Sequence, residues 1–259
     1  MSGTPGLAAY LERPLAAADP AVLAAVERGP ADPATALRPS DLDRLLDPAP
    51  LPLETGWCTL PGGVRFVAVA TPMPGVNGEM VDWWFDWHPR EALRYRVWHP
   101  LAHRDNSLEP PRAPGRKAHW GAVHHPVEDV GTGTVHARIA FQPPSRLGFS
   151  TDALDEREVA TVVGGLVGDD RRRTQHSLMV HVFLRDGDGL RLRSHFWLGA
   201  AIRPYLPAPL AGPLARLLNR RRVRDAALPR GLERALARHC AEEYANLAAL
   251  LPELYAIYG

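Results

Sequence analysis

Residues 234–251 read RALARHCAEEYANLAALL. Leu232, Leu236, Leu247 and Leu250 recur at three- and four-residue steps, the spacing that returns to one side of an α-helix. His239 and Glu243 fall on that same stripe, while Glu233, Arg234, Arg238 and Glu242 take the opposite side. The pattern predicts a long helix over residues 230–250 whose inward face carries an imidazole and a carboxylate. Glutamate is almost never fully buried without a partner, because its charge is costly to desolvate. One inward polar group can be satisfied locally; two stacked on one face call for something between the helix and what it packs on. A divalent cation meets that need, since imidazole nitrogen and carboxylate oxygen both suit zinc and one helical turn supplies both. The competing reading is a hydrogen-bonded histidine beside an ion-paired glutamate.

Working back from this helix, GTVHARIAFQ (133–142), HSLMVHVFLRD (176–186) and GLRLRSHFWLG (189–199) read as strands, with EVATVVGGLV (158–167) a further one. Asp186-Gly187-Asp188-Gly189 is a hairpin turn, and GWCTLPGGVRFVAVA (56–70) reads as two strands about a Pro-Gly-Gly turn. Gly164–Gly168 is followed by two aspartates and three arginines, so no helix opens there to hold a pyrophosphate; a strand end and turn is expected. GEMVDWWFDWHPREALRYRVWHPLAHRDN (78–106) is helical in its middle, with Pro89 at a helix start and His99-Pro100 at its end. Alternation at Leu93, Tyr95 and Val97 would also fit a strand. Residues 104–130 form a long proline-rich loop bearing histidines, and YLPAPLAGPLARLLNRRR (205–222) is a helical stretch broken by prolines. Strands followed by a long terminal helix define an α+β domain with that helix across one face of a curved antiparallel sheet.

Residues 1–55, rich in Ala, Pro and Leu, read as a small helical N-terminal segment of short helices broken by prolines. Asp19 caps one of them with Pro20 in its first turn and Gly29 past its end; Ser40 is the corresponding cap of PSDLDRLLDP. The segment packs on the main body or on a partner chain, which leaves a homodimer open. The expected division is therefore residues 1–55 and a main domain over 56–259.

The 259 residues are 46% hydrophobic and 23% charged, ordinary values for a soluble globular chain. A net charge of +1 gives no electrostatic case for nucleic acid or an acidic membrane, and the run Asn219–Arg224 reads as a solvated helix end. Cys58 and Cys240 form no CxxC element and point to a reducing compartment. The N-terminus lacks a basic start followed by an apolar core, and no 18-residue apolar run occurs; a cytoplasmic, non-membrane protein is expected.

The chain has no GxSxG elbow, P-loop or HExxH. If His239 and Glu243 hold a cation, the other ligands come from elsewhere: WHPLAHRDN offers His99 and His103, and AVHHPVED offers His124, His125, Glu128 and Asp129. Pro100 argues against one helix carrying both His99 and His103. Bulk chemistry does not choose among the six.

The run WWFDWHP (83–89), the element RYRVWHPLAHRDN (94–106), an acidic residue some 25 positions on and the terminal HxxxE together resemble the 2,4-diacetylphloroglucinol hydrolase family over roughly residues 57–258. The resemblance implies a Bet v 1-like helix-grip fold and a zinc-dependent hydrolase that cleaves the carbon–carbon bond between an acyl group and a polyhydroxylated aromatic ring. It implies Zn2+ held by His103, Glu128, His239 and Glu243. The register at His103 is supported by a substrate-contacting tyrosine eight residues before it and an asparagine three after, here Tyr95 and Asn106. Asp129, beside Glu128, is the alternative acid. A further family histidine matches His181, whose other reading is a hydrogen-bonded core residue. The family's second tyrosine has no match, the position holding His195 or Phe196, which bears on how the ring is gripped. Tyr95, Asn106 and His181 are thus the implied substrate-contacting and proton-delivering residues.

His88 and His119 sit beside tryptophans in expected surface or loop positions, and His136 and His176 lie in strands; structural or solvent roles are expected for all four. Trp83, Trp84, Trp87 and Trp98 read as core and cavity lining. The expected partner is a small-molecule aromatic ketone or polyphenol, with no nucleic acid and no membrane. Two other functions fit the same fold: a helix-grip carrier of a hydrophobic or polyketide ligand, and a metal-dependent hydrolase of a different aryl ketone.

Overall fold

Three long strands carry apolar side chains on both faces, so the sheet they form has to be covered twice. These are β8 (Val159–Asp169), β9 (Thr174–Asp186) and β10 (Gly189–Leu198). In this computed structural model, which describes residues 6–112, 115–150, 154 and 158–259, the described residues form an 11-stranded sheet. Its main path runs β1 (Gly56–Thr59), β2 (Arg65–Met73), β10, β9, β8, β7 (Thr134–Phe141), β5 (Val123–His124) and β4 (Leu108–Glu109). All these pairings are antiparallel. β3 (His103–Asp105) pairs with β6 (Val127–Asp129), which joins β7, and β11 (Arg203–Pro204) pairs with β9. The helices are α1 (Pro20–Glu27), α2 (Gly78–Trp87), α3 (Ala92–Trp98), α4 (Pro144–Leu147), α5 (Ala208–Leu218), α6 (Arg221–Ala227) and α7 (Leu232–Tyr258).

Period-2 alternation sorts the strand side chains between two cores. Met179 and Phe183 of β9, with Leu192 and Phe196 of β10, join one core with Ala237, Cys240, Tyr244, Leu247 and Leu251 of α7. Leu178, Val180, Val182 and Leu184 of β9 and Trp197 of β10 join the other with Leu37, Leu42, Leu45 and Leu46. The long helix therefore grips one face, as expected for a Bet v 1-like fold; residues 37–51 of the N-terminal segment close the opposite one, while Tyr10, Ala18 and Val26 join the core on the α7 side. α7 continues past residue 250 through Pro252. Leu251 and Leu254 are fully buried, and Tyr255 and Tyr258 pack on Trp83 and Trp87. That packing outweighs the lost backbone hydrogen bond.

Several sequence expectations change. Residues 104–130 are not an unbroken loop; β4, β5, β6 and the end of β3 are threaded through them. Gly164–Gly168 lies inside β8 rather than at a turn. A Cβ on Gly165 would meet the Ala140 carbonyl oxygen at 2.9 Å and one on Gly168 the Thr174 carbonyl oxygen at 2.3 Å, so the glycines admit neighbouring backbones. Ser40 does not cap its helix, a 3₁₀ turn that begins at Pro39 with Arg38 at the cap. Residues 92–98 are helical rather than extended, and both hairpin turns form where expected.

The N-terminal segment is pinned by Arg193, whose side chain is fully buried. Its guanidinium reaches Glu54 Oε1 at 2.7 Å and donates to the carbonyls of Leu45 (3.2 Å), Ala49 (2.6 Å) and Asp47. Removing one partner of a buried ion pair strands the rest of its polar network. Arg193→Leu should lower unfolding free energy by about 3–5 kcal/mol in denaturant melts. A loss below about 1 kcal/mol, the scale of an exposed pair, would refute that role.

Candidate metal centre

β3 and β6 pair so that His103 stands directly opposite Glu128. α7 presents His239 and Glu243 one turn apart, buried to 6% and 9% exposure. The two pairs meet face to face. His103 Nε2 lies 3.4 Å from Glu128 Oε2 and 3.5 Å from Glu243 Oε2, and His239 Nε2 lies 3.9 Å and 3.7 Å from the same atoms. Around an ion with ligands at about 2.1 Å, tetrahedral neighbours are about 3.4 Å apart. Ligand atoms of His103, Glu128 and His239 all lie within 4.8 Å of one another, a grouping able to hold a metal ion.

Three observations fit a cation. Both Nε2 atoms are buried without a hydrogen-bond partner. Neither glutamate has an arginine or lysine ion-pair partner among the described residues. Finally, His103 Nδ1 lies 3.0 Å from the Tyr95 carbonyl. A carbonyl only accepts, so Nδ1 carries the hydrogen and Nε2 is left as the free lone pair. The His103 ring also stacks on Tyr95 at 4.0 Å between centroids, and the Tyr95 hydroxyl donates to Glu128 Oε2. Burial dominates the titration of the group. It lowers His103 below its ordinary value, takes His239 down to about 4 and raises Glu243 to about 8. Both imidazoles are therefore neutral at pH 7, the state a metal ligand needs, while the Glu243 carboxyl holds a proton that a bound cation would displace.

The structure also separates the six upstream candidates. Asp129 is turned away, its Oδ1 accepting from the backbone of Gly131 (2.8 Å) and Gly133 (3.1 Å). His125 is held between Asp170 (2.5 Å) and Glu109 (2.9 Å). His99 stacks behind His239 at 5.2 Å and faces Glu242 at 3.9 Å. His124 lines the adjoining cavity instead.

That cavity, ≈ 80 Å³, lies between α7 and the sheet, lined among others by Tyr95, Asn106, Glu128, His181, Glu243 and Tyr244. All three residues matched as substrate contacts border it. Both polar side-chain atoms of Asn106 are buried and unpartnered. His181 Nδ1 contacts Ser194 Oγ at 2.8 Å. Strand alternation decides between His195 and Phe196: Phe196 faces the cavity and His195 packs against Phe66 in the other core. His88 and His119, expected in surface or loop positions, are 2% and 1% exposed, enclosed by Trp84, Trp98 and Phe85, with His119 carried on a turn. His88, His124 and Tyr244 border the cavity and were not singled out for it by sequence reasoning. Nothing in their spacing sets them apart from core aromatics.

The fold and site define a helix-grip protein whose terminal helix and short strands converge on a two-histidine, two-glutamate cluster, buried except for the partly exposed Glu128. A family model described as "DAPG hydrolase PhiG domain" matches residues 37–256, starting earlier than the resemblance read from the motifs. The chain belongs to this family. Over 244 residues it is 34% identical to 2,4-diacetylphloroglucinol hydrolase of Pseudomonas protegens, covering 90% of this chain and 78% of that protein. It is 30% identical to phloretin hydrolase of Eubacterium ramulus, covering 78% and 71%. Among solved structures it overlaps protein CV1439 from Chromobacterium violaceum at a TM-score of 0.39 and 9% identity, covering 72% of this chain and 96% of that one. Among the described residues no helix is long and apolar enough to cross a membrane.

Burial holds His88, His181 and His195 down at about 3. An unfolded histidine binds its proton near 6.5. Between those values the unfolded chain takes up protons that the folded one refuses, so stability present above pH 6.5 falls as pH drops toward 3. Thermal melts should show Tm declining from pH 7 to pH 4, with a shallower decline for His195→Phe. An identical slope in that variant would show that His195 does not contribute.

Proposed function

We propose that the protein is a zinc-dependent hydrolase cleaving the bond between an acyl carbon and a ring carbon of a polyhydroxylated aromatic ketone. The observation that carries this reading is the largely buried His103–Glu128–His239–Glu243 cluster, closed on itself without an arginine or lysine among the described residues and bordering a cavity lined by aromatic and polar side chains. The relatives named for 2,4-diacetylphloroglucinol and phloretin support an acylated polyphenol as substrate. Two histidines with carboxylates suit zinc.

The reaction adds water across the bond: the acyl carbon leaves as a carboxylic acid and the ring carbon takes a hydrogen. Zinc at this site supplies Lewis acidity and a water made acidic near neutral pH. The protein's own groups hold the substrate around it. Tyr95 has its hydroxyl hydrogen committed to Glu128, which orients that carboxylate and leaves the phenol oxygen to accept from a substrate hydroxyl. Asn106 offers one donor and one acceptor, both unpartnered, and can read a hydroxyl beside a ketone. His181, neutral at pH 7, contributes hydrogen bonding rather than a standing positive charge. The lining excludes water with Phe85, Trp98, Phe141 and Phe196. At ≈ 80 Å³ the cavity is smaller than the roughly 300 Å³ from which ligand pockets start, so a substituted ring enters by spreading this lining.

Purified protein should carry one metal ion per chain and cleave 2,4-diacetylphloroglucinol or phloretin, with activity removed by chelator and restored by zinc. His239→Ala and Glu243→Ala should each lose the stoichiometric metal. Full metal content in either variant would misplace the site. Metal-free wild-type protein that binds the same compounds unchanged would favour the carrier reading.

A further inference from the structure

Tyr244 follows Glu243 on α7, and its hydroxyl is buried without a hydrogen-bond partner. Buried polar atoms are nearly always paired, so an unpaired phenol in a cavity wall marks a place where a ligand completes the bonding. The ring is fixed on two sides. Its centroid lies 5.3 Å from Trp98, edge-on, and 5.0 Å from His181. One residue beyond Glu243, the side chain leaves the helix about 100° further round, on the β9 side of the metal-ligand stripe.

Other elements deliver unpartnered polar atoms to the same cavity: Asn106 Nδ2 and Oδ1 from the segment after β3, and His124 Nε2 from β5. Tyr95 already donates to Glu128, and Phe196, which contacts His181 at 5.5 Å, brings no polar atom. Of the two phenols in the lining, Tyr244 is the one with its hydrogen uncommitted. Resting on the reading of this cavity as the seat of an acylated polyphenol, we infer that Tyr244 is a specificity-determining residue that donates a hydrogen bond to a ring hydroxyl oxygen of the substrate. The acyl group lies at the metal-ligand end and the hydroxylated edge of the ring lies against Tyr244, Asn106 and His124.

Tyr244→Phe deletes the hydroxyl and keeps the ring. Because the hydroxyl is unpaired in the free protein, its removal should leave Tm unchanged or raised, with metal content intact; a structural hydrogen bond would lower Tm. Phloroglucinol has the hydroxylated ring but no acyl bond to break, so calorimetric titration reads recognition apart from catalysis. The variant should bind phloroglucinol about five- to tenfold more weakly, the effect of one neutral hydrogen bond. In turnover of 2,4-diacetylphloroglucinol, KM should rise by a similar factor while kcat changes less. Equal phloroglucinol affinity in the two proteins, no binding by wild type, or a lowered Tm in the variant would overturn the assignment. Wild-type binding with the predicted loss in the variant, but no cleavage of any acylated ring, would instead retire the hydrolytic reading and leave Tyr244 as the recognition residue.

Discussion

The structure turns on bringing two histidines and two glutamates, three of the four buried, to one place. Each group alone is expensive to bury, and with both rings neutral each unpartnered Nε2 faces two glutamate oxygens at 3.4–3.9 Å, acceptor against acceptor, an arrangement that a cation among them would relieve. The convergence constrains three parts of the chain at once. α7 has to lie at one depth and rotation against the sheet, β3 and β6 have to hold their register, and α3 has to set the Tyr95 carbonyl against His103 Nδ1. Trp98 fastens the join, donating from its indole to the Glu243 carbonyl at 2.9 Å while its own carbonyl accepts from Asn246 at 2.8 Å. Asn246 in turn accepts from the Ala16 backbone at 3.0 Å, linking the N-terminal segment to the same helix.

How much of this could be read from residues alone depended on the range of the contact. The inward pair on α7 was visible because helical periodicity is local and the stripe is long. The strands were visible for the same reason, since β-branched alternation and a DGDG turn are short-range signals. Glu128 could not be separated from Asp129 by spacing. What separates them is a cross-strand pairing between segments that read as loop, a contact created only when β7 offers β6 an edge. The burial of His88 was hidden in the same way. A histidine before proline reads as a loop residue, and it is enclosed only once Trp84, Phe85 and Trp98 meet around it. Tyr244 gave no signal because an aromatic beside a helical core stripe is ordinarily core, and only its unpaired hydroxyl distinguishes it.

Cavity and cluster share walls, so the candidate ligands and the candidate recognition residues are not separate sets. Tyr95 touches both, stacked on one candidate ligand and hydrogen-bonded to another while lining the cavity. His239 and Glu243 also face that space. A change that moves α7 to widen the cavity would also pull apart the histidine–glutamate pairs of the cluster.

Two-sided coverage of the long strands has an evolutionary corollary. Every second residue of β9 and β10 belongs to the cavity side and the residues between belong to the core under residues 37–51, so a single inserted or deleted residue would exchange one set for the other. Descendants of this chain can therefore diversify their chemistry cheaply only through the connections between β3 and β6, where Asn106 and His124 are carried, while the β3–β6 pairing that sets Glu128 against His103 is kept. The long strands should stay fixed in length while those connections drift, making them the natural place to graft a new substrate preference.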